Sequence, residues 1–227
     1  MGLYGRGMDA VPNPWFSLDY LTRNWEEVWE QLVIHTTLTV QAVLIALLIA
    51  VPLGIAARRI PRLAGPIMGT TGVLYTIPSF ALFGLLAPFT GIGRTTVLIG
   101  LVAYALLVLV RNIVVGLQNV DRDVVDAARG QGYTSTAMLW HVEFPLALPS
   151  IIAGIRIATV TTVALVTVGV VVGYGGLGQL MFRGLQSDYR AQIMTATILC
   201  LALALVCDLV LMLLGRALTP WTRRRAA

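Results

Sequence analysis

Few residues in this 227-residue chain could do chemistry, and their spacing argues against most of it. Asp208 is the one acidic group well inside an apolar run, and Arg156 lies in the second turn of another. A charge near the bilayer centre costs about 2.5–3.5 kcal/mol on insertion scales, so it either serves a function or needs a partner. A structural pair of Asp208 with Arg156, or with Arg216 two turns away, is expected over a proton relay. His35 and His141 have no clustered ligands, which argues against a metal site. Cys200 and Cys207 share one helical face but lie ~10 Å apart along it, too far for a disulfide. All sixteen basic residues are Arg, so no Walker-A lysine exists and this chain cannot hold ATP in that way. Gly173-Tyr174-Gly175-Gly176-Leu177-Gly178 formally fits G-x-G-x-x-G, yet it follows an apolar run rather than a strand. Dinucleotide binding is rejected; the cluster reads as a tight turn or re-entrant bend bordering an outer gate, or as a plain flexible loop. The expectation is a chain with no catalytic residue, no metal and no cofactor of its own.

The elements that position these residues are membrane spans. Hydrophobic residues make up 57% of the chain and charged residues 12%, about half the charged share of a soluble domain. Mean hydropathy is +0.82. The expected fold is an all-α polytopic bundle of about five, possibly six, transmembrane helices. The apolar runs are 32–57, 66–89, 95–115, 150–172 and 191–214. Residues 1–30 are read as an extended start followed by an interfacial helix, with Trp15, Trp25 and Trp29 at the headgroup level. They lack the short apolar core after a basic start that marks a cleavable signal. Residues 31–215 form the transmembrane domain, and 216–227 a basic tail. With the N-terminus outside, five spans leave Arg58, Arg59, Arg62, Arg122, Arg129, Arg216 and Arg223–Arg225 in the cytoplasm, as the positive-inside tendency requires. A sixth span from 173–190 would put the Arg-rich tail outside. Arg flanking apolar runs fits a membrane surface rather than nucleic acid. Pro78 falls in the middle of the second run, either kinking it to open a path or simply tolerated there. Tyr75 and Ser79 are four apart on one face beside it and are candidates to line that path.

One long polar insertion, 116–149, separates the third and fourth runs. It reads as two helices, about 121–130 and from Thr134–Ser135 to Phe144, joined by a turn at Gly130 and Gly132 and stopped by Pro145. Met138, Leu139 and Trp140 do not suit a linker. The hairpin is either a docking surface or a cover packed under its own bundle.

Asp126-Ala127-Ala128, three residues, Gly132, nine residues, then Val142-x-Phe144-Pro145 resembles the cytoplasmic "EAA" loop of bacterial ABC importer permeases. The family pattern is Glu-Ala-Ala, three residues, Gly, nine residues, Ile-x-Leu-Pro, so Asp126, Val142 and Phe144 depart conservatively. Thr76–Phe83, Gly91-Ile92-Gly93, Val110-Arg111-Asn112, Ala127–Gly132 and Gly173–Gly178 are similar to the short permeases of osmoprotectant importers. The resemblance implies a permease subunit for glycine betaine, choline, carnitine or proline betaine in the bacterial plasma membrane. It implies that the loop residues Asp126, Ala127, Ala128, Gly132, Val142, Phe144 and Pro145 meet a separate ATP-binding subunit, which holds the ATP and Mg. A second permease copy or similar permease, and an external solute-binding protein, complete the set of partners. The alternative is a self-sufficient secondary transporter or channel using Asp208 and Arg156 for ion coupling, without need of a docking hairpin.

Overall fold

The computed structural model describes residues 13–221, and no strand occurs among them. Helix α1 (Leu18–Arg23) is capped by Ser17, whose Oγ accepts the Tyr20 N–H. Then come α2 (Trp25–Arg59), α3 (Pro61–Thr76), α4 (Ser79–Thr90) and α5 (Arg94–Gln118). The polar insertion supplies α6 (Arg122–Gly130) and α7 (Ser135–Met138). Helices α8 (Phe144–Val168), α9 (Leu177–Gln186) and α10 (Arg190–Leu218) complete the bundle. Among the described residues, α2, α5, α10 and the continuous stretch Ser135–Val172 are each long and apolar enough to cross a membrane. Helices α3 and α4 meet that test only together, as one crossing bent by 99°. Helix α9 has ten residues, about 15 Å, half of a ~30 Å hydrocarbon core, so the 173–190 region does not supply a sixth crossing.

Four local expectations are corrected. The separate helix before residue 31 is only the short α1: Trp25 and Trp29 instead occupy the first turns of α2, stacked with centroids 5.8 Å apart. Pro78 is not a kink inside a helix. Helix α3 ends at Thr76, Ile77 and Pro78 are extended, and Pro78 is the N-cap of α4. Tyr75 and Ser79 therefore belong to different helices and do not share a helical face. Pro145 does not stop the second hairpin helix either. A π-turn at Leu139–Glu143 widens the helix just before it, relieving the clash of the proline ring with the carbonyl four residues back, and the chain runs on into α8. The expected extended start before residue 13 and the Arg223–Arg225 tail lie outside the described residues.

Lipid offers no hydrophobic drive between helices, so close packing of small residues must hold the bundle. On α2, Ala46, Ala50, Gly54 and Ala57 are buried at spacings of three and four, facing Leu109, Ile113 and Leu117 of α5. A Cβ at Gly54 would lie 2.5 Å from Ile113 Cγ2. On the other side of α5, a Cβ at Gly116 would meet Ser150 Cβ at 2.9 Å and the Ala147 carbonyl at 3.0 Å, and one at Gly154 would meet Asn112 Cβ at 2.5 Å. Helix α5 is thus wedged between α2 and α8. Helix α10 buries only Ala191, Ala196 and Gly215 within the chain. Gly116→Leu should part α5 from α8 and cost about 1–3 kcal/mol, read as a lower melting temperature of the detergent-purified protein. An unchanged melting temperature would show that this contact carries no stability.

Candidate functional site

Three places collect the residues singled out above. The first is the hairpin at the basic end of the bundle. Asp121 caps α6, its Oδ1 accepting the Asp123 N–H at 3.0 Å. Gly132 turns the chain with φ +84°, a conformation glycine adopts without strain, and the Tyr133 N–H closes the turn on the Ala128 carbonyl at 3.2 Å. Thr134 then caps α7 through the Ala137 N–H. Two arginines at the end of α2 hold the hairpin. Arg59 donates to the Ser135 carbonyl at 2.8 Å, while Arg58 reaches the Leu117 carbonyl at 3.4 Å and lies 3.6 Å from the Glu143 carboxylate. Asp126 and Ala127 are exposed, and Asp126 sits 3.6 Å from Arg129 of its own helix. Ala127 and Val142 line a shallow surface cavity with Val124, Gln131 and Tyr133. Ala128 is buried, and Phe144 and Pro145 are half-buried where the π-turn enters α8, Phe144 against the Trp140 ring.

The second place is the break between α3 and α4. Tyr75 packs against Tyr104 of α5, edge to face at 5.9 Å, and the Tyr104 hydroxyl donates to the Ile77 carbonyl. Pro78 is exposed and Ser79 half-buried beside it. The third is the glycine cluster at the far end. Gly173 (φ +75°) and Gly176 (φ +54°) turn the chain back so that α9 starts against α8. A Cβ at Gly178 would lie 2.4 Å from the Thr167 carbonyl, and one at Gly175 would lie 2.7 Å from the Val170 nitrogen. This is a closely packed turn, not a loose loop. Phe83 of α4 packs in one cluster with Val172 and Tyr174, which ties the second place to the third.

Asp208 and Arg156 form a two-pronged pair between α10 and α8, with both hydrogen bonds at 2.8 Å. No cluster of three or more candidate metal ligands exists among the described residues.

The family model for the binding-protein-dependent transport system inner membrane component matches residues 31–224. The chain belongs to this family. The permease is 34% identical to the carnitine transport permease protein OpuCB of Listeria monocytogenes, over 96% of this chain and 98% of that one. It is 33% identical to the choline transport system permease protein OpuBB of Bacillus subtilis, over 89% and 94%. It is 41% identical to the osmoprotectant import permease protein OsmW of Salmonella typhimurium, over 82% and 89%. Its fold superposes on an inward facing conformation of the MetNI methionine ABC transporter with a TM-score of 0.72, at 25% identity and 90% and 100% coverage. An amino acid ABC transporter superposes with a TM-score of 0.71 at 20% identity, over 89% and 100%.

Sequence reasoning passed over the residue that anchors the glycine turn of this permease. His35 of α2 is fully buried. Its Nε2 donates to the Val163 carbonyl of α8 at 2.9 Å, and its Nδ1 accepts the Leu177 N–H of α9 at 3.3 Å. A carbonyl can only accept and an amide N–H only donate, so the imidazole is neutral with its proton on Nε2. Both partners are backbone groups, so no side-chain pattern announces them. Nearby, Arg183 of α9 pairs with Glu27 of α2, and Asn13 bonds the backbone at Asp188 and Arg190.

His35→Leu should remove both bonds and cost about 1–3 kcal/mol, measured by thermal unfolding in detergent. Unaltered unfolding would show that the turn holds itself. In the same corner Tyr20 is buried edge-on to Tyr189. Burial, and next the Glu27 carboxylate, push its phenol up to about 12. The folded chain then keeps a proton that the unfolded chain, titrating near 10, gives up. Stability should therefore fall as pH rises from about 10 to about 12. Tyr20→Phe should flatten that part of a melting-temperature profile; a profile identical to the parent would contradict the assignment.

Proposed function

We propose that this permease passes a small quaternary-ammonium solute, such as glycine betaine, choline or carnitine, inward across the bacterial plasma membrane. The carnitine, choline and osmoprotectant permeases it is similar to support that solute class. A separate ATP-binding subunit, holding ATP and Mg, docks on the hairpin at 121–145. A solute-binding protein delivers to the opposite end, and a second copy or a similar permease completes the pathway. The N-terminus lies outside and the C-terminus in the cytoplasm, which puts Arg58, Arg59, Arg122 and Arg129 on the inner side in keeping with positive-inside bias. Residues 31–215 are the translocation domain. This chain itself does no covalent chemistry.

One observation carries the reading: the hairpin is ordered, exposed on its Asp126–Ala127 face, clamped to α2 by Arg58 and Arg59, and continuous with α8. A partner pushing on α6 therefore moves two crossings at once. Asp126, Ala127, Gly132 and Val142 form the docking face. Ala128, Phe144 and Pro145 join it to the bundle. Tyr75, Pro78 and Ser79, with the turn at Gly173, Gly175, Gly176 and Gly178, border the pathway. The closed Arg156–Asp208 pair satisfies both charges and so favours a structural tie over ion coupling.

The test is solute uptake by the permease, ATP-binding subunit and binding protein reconstituted in liposomes. Uptake should require all three and ATP; ATP-independent uptake by the permease alone would overturn the reading. Gly132→Val should cut ATP-driven uptake severely with membrane insertion intact. A Cβ at Gly132 meets nothing in this chain, but a β-branched residue at φ +84° is strained by about 1–2 kcal/mol or more and distorts the docking turn. Normal uptake by that variant would remove the hairpin from the mechanism.

A further inference from the structure

We infer that the break between α3 and α4 is a binding site within the membrane for a quaternary ammonium group, used transiently during passage. The inference rests on the solute class proposed above and assigns where this chain itself contacts that solute.

The depth comes first. The Ile77 carbonyl at the break takes the hydroxyl of Tyr104, which lies about 15 Å along α5 from Arg94, near the middle of that crossing. Next is what the break faces. Irregular backbone at that depth is tolerated only where it is buried in protein or lines a water-filled cavity. Here Thr76 and Pro78 are exposed and Tyr75 is 45% exposed on the chain's own surface, so the chain does not bury the break itself. Lipid is excluded by the open backbone. That leaves the companion permease's surface or the water-filled cavity between the two, and the open carbonyls and aromatic faces at the break suit the cavity.

The chemistry is specific. Helix α3 ends at the break, so the carbonyls of its last turn point at it with no following intrahelical N–H, the negative end of the helix. Tyr75 stands just before the break and Phe80, 64% exposed, just after it, with Tyr104 behind Tyr75. Between Arg62 and Arg94 the sequence holds no charged residue. Aromatic faces and carbonyls without a carboxylate suit a cation that cannot donate hydrogen bonds, which is a quaternary ammonium. They suit a primary amine or a metal ion poorly, since both demand directed ligands. With no counter-charge the site holds the cation weakly, as passage requires. The Ser79 hydroxyl flanks it as a polar contact, while the Thr76 hydroxyl donates to the Val73 carbonyl of its own helix at 2.8 Å.

The experiment uses the complete importer in liposomes, with choline as probe. Tyr75→Leu should lower choline uptake roughly tenfold, the size of a desolvated cation–π contact, while ATP hydrolysis stimulated by the binding protein stays near normal. Tyr75→Phe keeps the ring and should restore most of the uptake. In a second measurement, Thr76→Cys in a background with Cys200→Ala and Cys207→Ala should react with a water-soluble maleimide. Choline added to the permease–ATPase complex, without binding protein, should slow that reaction, whereas its uncharged carbon analogue 3,3-dimethylbutanol should not. Unchanged uptake by Tyr75→Leu, no labelling at Thr76→Cys, or labelling indifferent to choline would overturn the site. Failure of the parent importer to move any quaternary amine would instead overturn the solute class, and the ligand assigned here with it.

Discussion

Inside a bilayer no water is at hand to bond a bare N–H or C=O, and that constraint accounts for most of this structure. Where the chain is regular, the helix satisfies itself. Where it is not, a side chain from a neighbouring crossing steps in. Tyr104 serves the Ile77 carbonyl at the α3–α4 break. His35 serves the Leu177 N–H at the start of α9. At Pro145 the missing N–H is absorbed by widening the helix into a π-turn. The breaks at Ile77 and Leu177 are thus tied to a second helix, so neither can change shape without disturbing its neighbour.

The apolar runs were legible because a span of about twenty residues leaves a signal that no local detail can hide. All five crossings fall where composition puts them. The hairpin was legible too, through Asp121, Thr134 and the glycine turn, because caps and turns are written in short-range chemistry. What failed were the effects of proline. Pro78 reads as a kink and Pro145 as a stop, because local rules assume water or a continued helix. In the structure, Tyr104 makes a full break at Pro78 affordable, and the π-turn lets the helix pass through Pro145. His35 was legible only as a residue without ligands. Its partners are the backbone of residues 128 and 142 positions away, and no pattern in one sequence encodes such pairs.

The glycines make the same point in reverse. Read as a motif, Gly173–Gly178 suggests a tight turn, a re-entrant bend or a plain flexible loop. In place, Gly178 lets the start of α9 lie directly on the backbone of α8, and Gly175 lets the turn fold back on the Val170 backbone, closer than any side chain permits. Between crossings, Gly54 makes room for the Ile113 side chain, Gly154 for that of Asn112, and Gly116 for Ser150 and the Ala147 carbonyl. Glycine here serves close approach more than freedom of the chain, and a bundle without hydrophobic drive between its helices depends on such approach.

Helix α8 is where these features meet. Its continuous stretch runs from Ser135 in the hairpin to Val172 beside the glycine turn. Along that length it is gripped by Arg59 at Ser135, by Asn112 at Ser150, by Asp208 at Arg156 and by His35 at Val163. The grips come from α2, α5 and α10, so a shift of α8 is a shift of the whole bundle rather than a slide of one rod. Helices α3 and α4 touch this frame through α2, through α5 and through Phe83. They are the only broken crossing among the described residues, and Tyr104 of α5 fixes the break through the Ile77 carbonyl, so the break moves with the frame.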